Sequence, residues 1–354
     1  MTKIRARSEQ VRRFILENVE KHPAGISKLV EDRFGVTRQA ANKHLKKLVA
    51  EGALTDSGKT RAHVYQLCST QENDRRYRIV EGLAEHDVWR DDLRPALGPM
   101  PDNVLDIWHH GFTEMFNNAL DHSGGAEIVV RIRKTAVSTE IMLLDDGMGI
   151  FKKIQSALGL FDERHAIFEL SKGKLTTDPD NHSGEGIFFT SRMFDAFDIL
   201  SGGVFFTHKF GDAEDWLLEN EKSFTGTAVW MKLSNHTART TTKIFDQFAS
   251  GDDYAFNKTV VPVKLAQYGN DKLISRSQAK RLLARIELFK VVLFDFTGVE
   301  AIGQAFADEI FRVFANAHPE IELTPIHANS AVKRMISRAK GGRAAAEGES
   351  TPIA

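Results

Sequence analysis

Apolar and polar positions divide the chain into three differently patterned segments. In the first, Thr2 to Leu67, Val11, Phe14, Ile15 and Val19 recur at helical spacing behind Ser8, a good N-cap residue. Pro23-Ala24-Gly25 ends that helix. Ile26 to Phe34 predicts a second helix, closed by Gly35. Thr37 caps a third from Arg38 to Glu51, with Ala41, Leu45 and Leu48 facing inward and Gly52 stopping it. Ala53 to Leu67 reads as a hairpin with a turn at Asp56-Ser57-Gly58-Lys59. Residues 69–100 read as a connector. Gln71 to Arg78 is so charged that an exposed or helical stretch is expected, and Ile79 to Leu97 is amphipathic around Trp89.

The second segment, residues 101–235, opens with a long helix from Val104 to His122. Strands are predicted at Glu127 to Lys134 and Thr139 to Asp145, a lid-like stretch from Gly147 to Ser183, and a helix from Glu185 to Phe194. Strands return at Phe197 to Leu200, Gly203 to Lys209 and Thr225 to Leu233. The third segment, residues 255–340, alternates strand and helix. Its strands are Thr259 to Lys264, Val291 to Phe296 and Glu322 to His327. Its helices run from Ser275 to Ile286, Ala305 to Ala315 and Ser330 to Ala339. The run at Val291 suits a buried strand, so this segment reads as a small α/β domain. Residues 341–354, rich in Gly, Ala and Glu, read as a disordered tail.

Composition narrows the classes. With 354 residues, 42% apolar and 27% charged, the chain is ordinary globular material for two or three domains. Cys68 is the single cysteine, which excludes an intrachain disulfide and a multi-cysteine zinc site. No leader-like h-region opens the chain and no apolar run approaches membrane-spanning length, so a cytoplasmic protein with no membrane partner is expected. The net charge of −1 conceals an asymmetry: residues 1–68 carry 14 Lys/Arg against 7 Asp/Glu, which leaves −8 for the remainder. A basic end on an acidic body predicts a polyanion partner for that end.

The middle segment holds the candidate chemistry. Glu114, Asn118 and His122 fall at i, i+4 and i+8, on one helix face. That face is poor core material and suits a polar cleft, although a solvated helix surface looks the same. The Asn118 carboxamide is a hard ligand of the kind Mg²⁺ accepts beside water and phosphate. Glu114 is placed to orient or deprotonate water. The apolar strand Ile141 to Leu144 runs into Asp145-Asp146-Gly147-Met148-Gly149, a D-x-G-x-G turn in which Gly147 and Gly149 permit close approach by a flat ligand. Ser183-Gly184-Glu185-Gly186 precedes a helix, where free N–H groups at Gly184 and Gly186 suit phosphate. Each piece alone is weak.

Together and in this order, the E-x-x-x-N helix, the D-x-G-x-G turn and the glycine box resemble the GHKL ATPase superfamily of gyrase B, the heat-shock protein of ninety kilodaltons, MutL and histidine kinases. The resemblance covers residues 101–235 and implies a Bergerat α/β sandwich binding ATP and Mg²⁺. It implies Asn118 on the metal, Asp145 on adenine, and Gly147 and Gly149 admitting the nucleotide. Gly184 and Gly186 would hold phosphate, Thr227 of Gly226-Thr227 would sit beside the adenine, and Glu114 would be the general base. Lys172 and Lys174, near the glycine box, are the lid cations placed to reach phosphate; a solvated loop is the equal alternative. No phosphoacceptor hairpin precedes residue 101, which argues against a histidine kinase. The third segment resembles the STAS fold of anti-sigma-factor antagonists, and more closely a STAS-like domain of unknown function. Gln304 and Ala305 stand where a phosphoacceptor serine is expected, so phosphorylation within the chain is disfavoured and protein contact is the expected role.

Three helices and a hairpin have the layout of a winged helix-turn-helix. Arg38, Gln39, Asn42, Lys43 and Lys46 lie on the recognition-helix candidate, and Lys59 and Arg61 on the wing. Gln and Asn suit adenine, Arg suits guanine, and the lysines suit phosphate. The expected class is therefore multidomain α+β and α/β: a winged helix at 1–68, a GHKL sandwich and a STAS-like domain. The expected function is an ATP-dependent, DNA-binding transcriptional regulator. A serine/threonine kinase acting on a separate partner and a non-catalytic nucleotide-sensing scaffold are the alternatives, and homodimerisation stays open.

Overall fold

The computed structural model describes residues 3–58, 63–175, 184–211, 216–249, 255–267 and 272–346. Its first unit contains α1 (Lys3–Asn18), α2 (Ile26–Phe34), α3 (Arg38–Ala50), β1 (Leu54–Ser57) and β2 (Val64–Leu67). Local chemistry explains the breaks. Gly35 ends α2 at φ 60°, and the Thr37 hydroxyl accepts from Ala40 N at 3.3 Å to start α3. Ile15, Val19, Val30, Leu45 and Leu48 are fully buried and form a core of their own. β1 and β2 pair antiparallel, with Leu54 opposite Leu67.

The second unit is built on a five-stranded antiparallel sheet in the order β3-β4-β5-β7-β6. Its strands are β3 (Gln71–Arg78), β4 (Glu127–Lys134), β5 (Ser138–Asp145), β6 (Ala196–Lys209) and β7 (Trp216–Ser234). The short α4 (Glu85–Val88) runs through a π turn into α5 (Arg94–Leu97). They are followed by α6 (Asp102–His122), α7 (Ile150–Leu158), α8 (Glu163–Lys172), α9 (Gly186–Met193) and α10 (Thr241–Phe248). Strands β4 and β5 bury alternate residues: Ile128, Val130 and Ile132 on one, Ile141, Leu143 and Asp145 on the other. Trp108, Phe112 and Phe116 of α6 join that core.

β3 corrects the expectation that residues 71–78 are a connector. The segment pairs with β4 along its whole length, from Gln71 opposite Lys134 to Arg78 opposite Glu127. Its charges are matched across the ladder, with Arg131 on Asp74 at 2.8 Å and Arg76 on Glu127 at 2.9 Å. A charged edge strand also discourages pairing with another chain.

The third unit is a parallel three-stranded sheet, β10-β9-β8, made of β8 (Lys258–Pro262), β9 (Val291–Asp295) and β10 (Glu322–Ile326). The crossovers are α11 (Arg276–Leu283) and the pair α12 (Gln304–Asp308) and α13 (Ala315–Ala317), joined by a π turn. Ser275 and Gln278 form a capping box at the start of α11. α14 (Ser330–Ala346) runs past the expected end at Ala339 into the stretch read as a disordered tail. Arg343 and Ala344 to Ala346 are strong helix formers and extend it despite Gly341 and Gly342. The described residues form a mixed α and β molecule with three separate sheets, consistent with a multidomain α+β protein. No helix among the described residues is long and apolar enough to cross a membrane.

One half-buried histidine predicts pH-dependent stability. His110 on α6 lies edge-on to Phe245 at 5.6 Å, and its buried Nε2 has no hydrogen-bond partner among the described residues. Burial, with the nearby His109 charge, pushes its pKa down from 6.5 to about 4. A lowered pKa on a base means that stability is complete above the unfolded value and is lost as pH falls. The loss reaches about 3 kcal/mol once pH drops below the folded value. Urea midpoints of the parent should therefore fall between pH 7 and pH 4, and His110→Leu should flatten that slope. An unchanged slope would refute the assignment.

Candidate functional site

One cavity of about 260 Å³ gathers residues from α6, β5, α7, α8, α9 and β7. Its walls include Glu114, Asn118 and His122 of α6, Asp145 at the end of β5, Gly184 and Gly186 at the start of α9, and Thr227 of β7. Three stretches far apart in sequence thus meet in one place. Apolar walls come from Leu143, Ile154, Leu170, Phe188, Ile199 and Val229.

The end of β5 is fixed by Asp145. Its Oδ1 accepts from Gly147 N at 2.9 Å and from Thr227 N at 3.2 Å. The Thr227 hydroxyl in turn accepts from Ile150 N at 3.0 Å, which ties β7 to the start of α7. Burial raises the Asp145 pKa despite those two N–H groups. The adjacent Asp146 behaves oppositely. It is exposed, accepts from Ala126 N and Glu127 N, and is held below the ordinary carboxylate range by those bonds. Asp145 is therefore the carboxyl that faces the cavity, and Asp146 is a turn brace.

Gly147 and Gly149 do not line the cavity; they shape the turn beneath it. Gly149 has φ 91°, and a side chain there would run into the Ser201 hydroxyl at 2.5 Å. Gly186 is constrained differently: any Cβ would collide with Glu114 Oε2. Glycine at this position lets the first turn of α9 press against the Glu114 carboxylate. The N–H groups at the start of that turn and the carboxylate therefore border the same space.

The expected lid cations are elsewhere. Lys172 is 1% exposed and bonded to Glu169 Oε1 at 2.9 Å and Ala284 O at 2.6 Å. Lys174 donates to Leu288 O at 3.0 Å and lies 5.0 Å from the Phe289 ring centroid. Both point toward the third unit because α8, whose apolar Ile167, Phe168 and Leu170 suggest a packed helix within the lid-like stretch, packs against it. The cation in the cavity is Lys153 of α7, whose Nζ donates to His122 O at 2.8 Å. Counting one turn from Ile150 along the helix after the glycine turn would have found it.

The first unit displays Arg38, Gln39, Lys43 and Lys46 as exposed residues on α3. Among the described residues none of these has an ion-pair partner. Lys28 and Lys47, by contrast, sit at 2.9 Å from Asp32 and 3.9 Å from Glu51. Asn42 is half-buried, and its Oδ1 accepts from the Ser27 hydroxyl at 3.1 Å. Lys59 and Arg61 lie outside the described residues.

Residues 278–333 match the family described as a STAS-like domain of unknown function (DUF4325). This stretch contains most of α11 and all of β9, α12, α13 and β10, and so makes up most of the third unit. No curated protein matches the chain.

Burial of Asp145 yields a stability test. A raised carboxyl pKa means that stability is complete below the ordinary carboxylate value and declines as pH rises through the folded value. Asp145→Asn keeps an oxygen for Gly147 N and Thr227 N and removes the buried charge. Its thermal midpoint at pH 7 should equal or exceed the parent's. A clear drop would show that the charge itself holds the turn.

Proposed function

We propose that the chain is an ATP-dependent, DNA-binding regulator, with an ATP site of GHKL type in residues 101–235 and a winged helix in residues 1–68. The observation that carries the reading is the convergence of Glu114, Asn118, Asp145, Gly184, Gly186 and Thr227 on one cavity. In this reading the five-stranded sheet and its helices are a Bergerat sandwich.

The chemistry follows from the walls. Asp145 accepts from the adenine amino group, with Thr227 beside it. The N–H groups at Gly184 and Gly186 and the Lys153 ammonium meet phosphate oxygens. Glu114 takes a proton from, or orients, the water that attacks the γ-phosphate. The donor set also fits Mg²⁺. No cluster of three His, Cys, Asp or Glu suited to a metal occurs among the described residues, so the ion would rest on Asn118, water and phosphate, as Mg²⁺ prefers. When bound, it would neutralise phosphate charge.

Incubation with γ-labelled ATP and Mg²⁺ tests this directly. The parent should bind ATP and release labelled phosphate, and Asn118→Ala should do neither. Glu114→Ala should bind within a fewfold of the parent yet turn over about a hundred- to ten-thousandfold more slowly. Unchanged turnover in Glu114→Ala would remove Glu114 from the base role, and ATP binding with no phosphate release in the parent would reduce the site to a sensor. Label appearing on an added protein would make the chain a serine/threonine kinase acting in trans. Gln304 and Ala305 lack the hydroxyl needed to accept phosphate within the chain.

The DNA reading rests on Arg38, Lys43 and Lys46 of α3, which are exposed and have no ion-pair partner among the described residues, and on the net charge of +7 in residues 1–68. Lys43→Ala and Lys46→Ala should each lower the slope of log affinity against log salt by about one. Arg38→Ala should cost about 1–3 kcal/mol and relax preference at one base pair. DNA affinity that ignores all three substitutions would sink the reading. Identical DNA binding with and without nucleotide would sink its ATP dependence.

A further inference from the structure

A buried charge cluster lies at the seam between α8 and the STAS-like domain, away from the cavity. Lys172 Nζ bridges Glu169 Oε1 and the Ala284 carbonyl, at 2.9 and 2.6 Å. Arg285, at φ 59°, donates from Nη1 to Glu169 Oε2 at 3.2 Å and from Nη2 to Lys174 O. The Lys172 carbonyl accepts from the Thr259 hydroxyl at 2.6 Å, and Lys174 Nζ reaches Leu288 O at 3.0 Å. Segment 169–174 is thus bonded to residues 259 and 284–288 through both side chains and backbone.

A second bridge is aromatic. Phe188 of α9 lies tilted against Phe256 at 4.6 Å between centroids, and Phe256 meets Phe289 edge-on at 5.3 Å. Both bridges begin at the cavity wall. Leu170, within that segment, and Leu175, just after it, line the cavity, as does Phe188.

We propose that this seam couples the cavity to the STAS-like domain: the Glu169–Lys172–Arg285 cluster is a latch through which nucleotide occupancy sets the state of residues 281–289. The proposal rests on the ATP reading of the cavity. Its physical basis is that a buried ion cluster does not deform gradually. It is either fully paired or opened to water, because a half-paired charge in the interior is the costly state. A ligand that moves Leu170 or Leu175 moves the same turn that carries Lys172. The linkage is reciprocal, so a partner seated on the STAS-like domain would change nucleotide affinity by the same factor. The domain of unknown function thereby acquires a role as reader of the nucleotide site.

Hydrogen exchange on the full chain, with and without Mg-ATP, tests the latch. In the parent, Mg-ATP should slow exchange about fivefold or more both in residues 163–175 and in residues 281–289. The variant Glu169→Gln/Lys172→Met removes both buried charges together and leaves half-exposed Arg285 to water. It should still bind a fluorescent ATP analogue and still protect residues 163–175, while protection of 281–289 disappears. If circular dichroism shows that variant unfolded, Arg285→Gln removes only the outer arm and should give the same split. Parent protection confined to 163–175, or a latch variant that keeps protection of 281–289, overturns the coupling. No binding and no protection anywhere overturns the ATP reading, and the coupling with it.

Discussion

The second unit hangs on one buried carboxyl group. Asp145 lies opposite Thr227 in the β5–β7 ladder, and its Oδ1 takes the N–H groups of both Gly147 and Thr227. Putting a carboxylate at a strand end inside the protein is costly, and the two N–H groups offset only part of that cost, as the raised pKa records. In exchange the turn after β5, the start of α7 and the end of the β7 ladder occupy fixed relative positions. Every other wall of the cavity is referred to that junction. α6 packs behind β5, α7 leaves from Ile150, and α9 is pressed onto Glu114 at Gly186.

The same junction shows what sequence could and could not reveal. α6, β5 and the cap at Thr37 were legible because each carries a local signal: helical spacing, an apolar run into D-x-G-x-G, and a hydroxyl before a helix. β3 was not, because Gln71 to Arg78 has no apolar alternation. It becomes a strand only when Arg131 and Glu127 of β4 stand opposite its charges. The extension of α14 was missed for a different reason, since Gly341 and Gly342 outweighed the helix formers that follow them in the reading. The D-x-G-x-G pattern singles out Asp145 rather than Asp146, and the backbone N–H groups around each carboxyl separate them physically.

Contacts between units differ in kind. Lys232 bridges Glu20 of the first unit and Glu140 of β5, at 2.6 and 2.9 Å, with all three partly exposed. Such pairs are worth little individually and weaken with salt. The first unit keeps a separate apolar core, so this join can loosen without exposing much hydrophobic surface. Between the second and third units the apolar core is continuous, and the ion cluster within it is buried. Separating those units would expose both. The second unit is therefore joined more firmly to the third than to the first.

Helix geometry explains why the two cations exchange roles. Successive residues turn about 100°, so Leu170 and Lys172 lie about 200° apart on α8. With Leu170 in the cavity wall, Lys172 has to face the opposite side, where the STAS-like domain supplies Ala284 and Glu169 closes the charge. On α7 the same arithmetic works the other way. Ile150, Lys153 and Ile154 fall at i, i+3 and i+4, on one face, and all three line the cavity. Proximity of a lysine to a glycine box in sequence is therefore a weaker guide than its phase relative to an apolar neighbour already known to face the site. Applied to this chain, phase puts Lys153 in the cavity wall and turns Lys172 toward the neighbouring domain.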